Sequence, residues 1–185
     1  MKTGTEFAKQ AENSKYDKLK YGQVDCQAFV ELVLKDLGIR QVNGAVYNWR
    51  GSNDMWRNAL SWKGTIAEAR LQFGNELPLG CLVFMVANDG GEIARGYHDS
   101  QGNASHVGIL VTQTQTRDST KGTGRDGVAY RPLKDWTHIG LLKCIDYDNT
   151  NHNIISLDGE VLKAFIKTLR QELNKLEGMI SNDSK

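Results

Sequence analysis

Residues 21–38 read YGQVDCQAFVELVLKDLG and put a cysteine at the first position of a helix. Asp25 carries a side-chain oxygen suited to the unbonded N–H groups of a first helical turn, so it reads as an N-cap. Phe29, Val30, Val33, Leu34 and Leu37 then recur at helical spacing, and Gly38 stops the run. A thiol at such a position faces free backbone N–H groups and the positive end of the helix dipole, and both favour thiolate. Taken alone, the stretch leaves Cys26 open to two readings: an inert core thiol or a nucleophile.

The flanking sequence sets the fold class. Residues 5–18 carry a weaker helical pattern. GSNDMWRNAL (51–60) offers Ser52 or Asn53 as the cap of a short helix. In KGTIAEARLQFG (63–74), Thr65 is the expected cap and Gly74 the stop. The pattern then changes. LPLGCLVFMVAN (77–88) is a turn followed by a β-rich apolar run, and ASHVGILVTQ (104–113), GVAYRPL (127–133) and IGLLKCIDY (139–147) read as three further strands. A long polar loop, DGGEIARGYHDSQGN (89–103), separates the first two. Helices followed by an antiparallel sheet predict an α+β domain over 1–147. A polar connector (148–156) then leads to 157–185, where Leu157, Val161, Phe165, Leu169, Leu173, Leu176 and Ile180 mark one face of an amphipathic helix. That face is expected to dock on the domain, with self-association or a lead toward a further module as the alternatives.

Composition narrows the function classes. The chain has 185 residues, 39% hydrophobic and 24% charged, as globular proteins do. Its formal net charge of +1 creates no field that would favour nucleic acid or an anionic membrane. Cys26, Cys81 and Cys144 form neither a disulfide framework nor a zinc motif. No run reaches the ~18 apolar residues of a membrane span. MKTGTEFAKQAENSKYDK (1–18) has no apolar core of a signal peptide, so synthesis in the cytoplasm without a leader is expected.

A nucleophilic thiol requires a base, usually a histidine oriented by a third polar group. His106 opens the strand HVGILV, while His98, His138 and His152 lie in loops or near turns and read as surface or structural residues. His98, Asp99 and His106 match no zinc signature, and neither a metal nor a cofactor is expected.

DCQAFV (25–30), LPLGCLVFMV (77–86) and SHVGILV (105–111), in this order and spacing, resemble the NlpC/P60 cysteine peptidases, which are papain-like cell-wall hydrolases. The resemblance spans about residues 16 to 147. It implies a papain-like α+β fold with Cys26 as nucleophile and His106 as general base. The family's third polar residue lies on the next strand, which points to Asp118 in TRDSTKGTGRDGVAY (116–130), with Gln113 and Gln115 as alternatives. The family more often has His, Asn or Gln there, but a carboxylate also orients an imidazole. Tyr21 is placed like the tyrosine that lines the family's site. Two departures stand out: Gln27-Ala28 replaces the usual Ser-Gly, and Cys81 replaces an Asp before the apolar strand.

Outside those motifs, AVYNWRGSNDMWRNALSWKG (45–64) holds Trp49, Trp56 and Trp62 with Arg50 and Arg57. Trp49 and Trp56 are candidates for a substrate groove, and a packing layer is the other reading. The resemblance implies a peptidoglycan hydrolase acting on a stem-peptide amide, often that between D-glutamate and the diamino residue. The missing leader suggests a phage or prophage endolysin that reaches the wall after lysis. The alternatives are a CHAP-type N-acetylmuramoyl-L-alanine amidase and a non-catalytic wall-binding module.

Overall fold

The computed structural model describes residues 1–87, 97, 99–122 and 124–147. The connector at 148–156, the amphipathic helix expected at 157–185 and most of the 89–103 loop lie outside the described residues.

Helix α1 (Gly4–Ala11) opens with a capping box, in which Thr3 accepts from the Glu6 N–H and Glu6 accepts from that of Thr3. It buries Phe7, Ala8 and Ala11. It ends sooner than its 5–18 pattern predicts, because extended Asn13 caps a separate 3₁₀ turn, Ser14–Tyr16, by accepting the Lys15 N–H. Helix α2 (Cys26–Asp36) has Asp25 as its cap, accepting from the Ala28 N–H at 2.8 Å, and turns off at Gly38 (φ 81°). Its inner face is Cys26, Phe29, Val30, Val33 and Leu34, all buried.

Helix α3 (Ser52–Asp54) runs into a π-helical turn, Met55–Ala59. Its N-cap is Gly51 and not Ser52 or Asn53. Those two side chains are engaged across the core: Ser52 Oγ donates to the Ala104 carbonyl, and Asn53 accepts from the Ala104 N–H and donates to Asn103. Helix α4 (Ile66–Phe73) has the expected Thr65 cap, completed by Glu68, and the expected Gly74 stop.

Six antiparallel strands follow one another across the sheet in the order β1-β6-β2-β3-β4-β5. They are β1 Leu60–Thr65, β2 Leu82–Ala87, β3 Asn103–Leu110, β4 Gln115–Gly122, β5 Arg125–Pro132 and β6 His138–Leu142. Strands β2, β3, β5 and β6 were legible from their apolar runs, whereas β1 and β4 were not. Strand β4 is the instructive case, since its middle residues Thr116, Arg117, Asp118 and Ser119 are polar and yet buried. Each has a partner: Trp136 donates to Thr116, Arg117 pairs with Asp17, Asp118 binds His106, and Ser119 donates to the Val24 carbonyl. A strand held by polar bonds has no hydrophobic alternation to read.

The core lies between the helices and the sheet, with Phe29, Val30 and Leu34 of α2 buried alongside Leu82, Phe84, Val107 and Ile109. Each such side chain contributes roughly 1.5–3 kcal/mol on burial. The described part is thus α+β. No helix among the described residues is long and apolar enough to cross a membrane.

Candidate active site

The N-terminus of α2 meets the middle of the sheet at Cys26, a residue 8% exposed. The Asp25 cap takes the Ala28 N–H, and Ser119 of β4 holds the Val24 carbonyl just upstream. The segment that delivers the thiol is therefore tied both to its own helix and to the strand that carries Asp118.

His106 lies on β3 opposite Met85 of β2. Its Nε2 is 2.6 Å from Asp118 Oδ2, and its ring lies close enough to the Cys26 thiol for the two groups to interact. With Nε2 taken by Asp118, Nδ1 is the nitrogen available to the sulfur. Burial works against a charge on this ring. The interactions with Asp118 and Cys26, together with their charges, outweigh it and carry the His106 pKa up to about 9. The imidazole therefore holds a proton at neutral pH, beside the Cys26 side chain.

Asp118 is 0% exposed and meets a second partner. Arg131 of β5 donates from Nε to Oδ1 at 3.3 Å and from Nη2 to Oδ2 at 3.1 Å. Trp136 packs against this group. Its rings lie 5.3 Å from His106 with planes 5° apart, the Arg131 guanidinium is 5.4 Å from the indole, and the indole N–H donates to Thr116 at 2.9 Å. Gly108 makes room for that indole, since a Cβ there would come within 2.9 Å of it.

Of Asp118, Gln113 and Gln115, it is Asp118 that reaches His106. The Gln113 amide is occupied by the backbone of Leu77, which it both donates to and accepts from at 2.9 Å. Gln115 is exposed at the start of β4, opposite Pro132. Tyr21 is within electrostatic reach of Cys26: burial pushes its hydroxyl pKa up, and the charges of Cys26 and Asp25 add to that.

The two candidate groove tryptophans do not join this cluster. Trp56 is 5% exposed, sits edge-on to Phe84 and His138, and donates to the Gln101 carbonyl. It is a core residue beside β2. Trp49 is half-buried and stacked on Tyr47, with its backbone held by Gln27 and Glu31. A groove of about 390 Å³ runs beside α2 between Leu19, Val24, Ala28, Leu32 and Tyr47, and neither tryptophan lines it.

Cys81 is fully buried and burial pushes its thiol pKa up, which marks it as a core residue; burial raises that of Cys144 as well. Among the described residues no three His, Cys, Asp or Glu side chains gather as a metal site. Asp99 is engaged by Arg57 at 2.8 Å, and His98 lies outside the described residues.

Sequence reasoning missed Arg131, Trp136 and Ser119. For Arg131 a signal existed. A hairpin turning at 122–125 sets Asp118 opposite Ala129, which makes Arg131 its diagonal neighbour. Nothing in the sequence around Trp136 or Ser119 points to their roles.

A thiol at a helix N-terminus, a charged imidazole against it and a buried carboxylate behind the imidazole together form an arrangement suited to nucleophilic attack on an acyl carbon. No family model, curated protein or solved structure matches the chain.

Proposed function

We propose that the protein is a thiol hydrolase that cleaves an amide bond in the stem peptide of peptidoglycan, in the manner of the NlpC/P60 cysteine peptidases. The observation that carries the chemistry is the contact chain Cys26–His106–Asp118, with 2.6 Å between its last two members. The substrate class rests on the resemblance of the three motifs at 25–30, 77–86 and 105–111.

Cys26 and His106 form a thiolate–imidazolium pair. The sulfur attacks the amide carbonyl, forming the C–S bond and an oxyanion. The Cys26 backbone N–H, free at the first helical position, and the Tyr21 hydroxyl are the donors for that oxyanion. His106 gives its proton to the nitrogen as the C–N bond breaks, and the amine leaves. Neutral His106 then takes one proton from water, whose oxygen bonds to the carbonyl carbon as the C–S bond breaks; the thiolate is restored and the released carboxylic acid gives its remaining proton to solvent. Asp118 keeps the ring oriented throughout. The protein reaches the wall after lysis in this reading.

Digestion of purified peptidoglycan, with soluble fragments weighed by mass spectrometry, tests the reading. Fragments cut within the stem peptide support it and identify the bond. Glycan stripped of whole stems would instead assign the CHAP-type amidase reaction. Walls left intact by folded protein would overturn both and favour a wall-binding module.

A further inference from the structure

Asp118 places a carboxyl group behind the imidazole where a neutral amide would also serve to orient it. A buried carboxylate is costly unless it is paired. Here the pairing is two-pronged: Nε and Nη2 of Arg131 address the two oxygens, with 16% of the Arg131 side chain exposed and none of that of Asp118. The same Asp118 oxygen that takes Nη2 also takes the His106 ring. Trp136 covers His106 with one indole and lies under the Arg131 guanidinium as well, so it keeps water from both contacts.

We propose that Arg131 is a positioning residue which, by pairing with Asp118, tempers the pull of that carboxylate on the His106 proton. The inference rests on the thiol–imidazole reading above and deepens it. An isolated carboxylate would bind the imidazolium proton too firmly for easy transfer to a leaving amine. The cation one bond further away draws back part of that attraction. The charged and titratable groups around the ring are Asp118 from β4, Arg131 from β5 and Cys26 from α2, with Tyr21 and Asp25 beyond the thiol.

The test is an NMR titration of the His106 ring, assigned with His106→Gln, in folded wild type, Arg131→Met, Arg131→Lys, Asp118→Asn and the Asp118→Asn/Arg131→Met double variant. Alkylation of Cys26 by iodoacetamide, read on its own peptide by mass, runs alongside. Arg131→Met is expected to raise the His106 midpoint by about one pH unit, and Asp118→Asn, which leaves the arginine uncompensated, to lower it. Arg131→Lys is expected near wild type, and the double variant between Asp118→Asn and Arg131→Met. A merely structural arginine would not give opposite shifts that offset each other in the double variant.

An unmoved midpoint in folded Arg131→Met overturns the pairing while leaving the reactive thiol in place. If Arg131→Met does not fold, the double variant decides: a midpoint as low as in Asp118→Asn alone overturns the pairing, and recovery supports it. A wild-type Cys26 that alkylates no faster than a free cysteine overturns both the pairing and the hydrolase reading.

Discussion

The Asp118 carboxylate meets the His106 ring at 2.6 Å, although the two residues stand on neighbouring strands twelve positions apart. That contact joins the stability of the fold to its pH dependence. The folded His106 pKa, about 9, lies above the roughly 6.5 of an unfolded chain. A raised pKa means that the native state holds the proton more tightly. The stabilisation is thus complete below about pH 6.5 and is lost as pH rises through about 9. Denaturant unfolding at several pH values is expected to lose up to about 3 kcal/mol across that window. His106→Gln is expected to flatten this dependence.

Ser119→Ala removes the hydroxyl that ties β4 to the Val24 carbonyl, two residues before Cys26. Leaving that buried acceptor unbonded costs about 1–3 kcal/mol. Thermal melting is expected to fall accordingly. Cys26 alkylation is expected to slow as well, since the segment that delivers the thiol loses its tie to the strand bearing Asp118.

Gly108→Ala places a methyl group 2.9 Å from the Trp136 ring and 3.1 Å from the Arg117 carbonyl. The backbone cannot give way readily, so the indole must move off His106. We expect altered tryptophan fluorescence, a displaced His106 titration and destabilisation of about 1–3 kcal/mol.

How much of this was legible in the sequence follows from what holds each element. Helices α2 and α4 combine an apolar face with a capping residue and a glycine stop, so pattern and cap agreed at Asp25 and Thr65. Ser52 and Asn53 also look like caps, but their side chains are committed to β3, and no local rule reveals a partner fifty residues away. The grouping of Cys26, His106 and Asp118 was legible because motif order and strand spacing set where each falls in the fold. Arg131 and Trp136 act by cross-strand register and by packing, which exist only once the sheet has formed. The sequence left Trp56 between a groove and a packing layer because an indole carries the same signal in a core as on a surface, and the structure buries it.

Tyr21→Phe is expected to fold normally, because the residue's bond to Asp126 is made by its backbone N–H and not by its hydroxyl. If that hydroxyl supports the oxyanion, kcat is expected to drop about ten- to hundredfold with little change in KM. A change confined to KM would assign the hydroxyl to substrate binding alone.

The most direct measurement compares wild type, Cys26→Ala and Cys81→Ser on the same purified peptidoglycan, with released fragments weighed by mass spectrometry. The account predicts new stem-peptide fragments from wild type and from folded Cys81→Ser, and none from Cys26→Ala. Equal fragments from wild type and Cys26→Ala would contradict it.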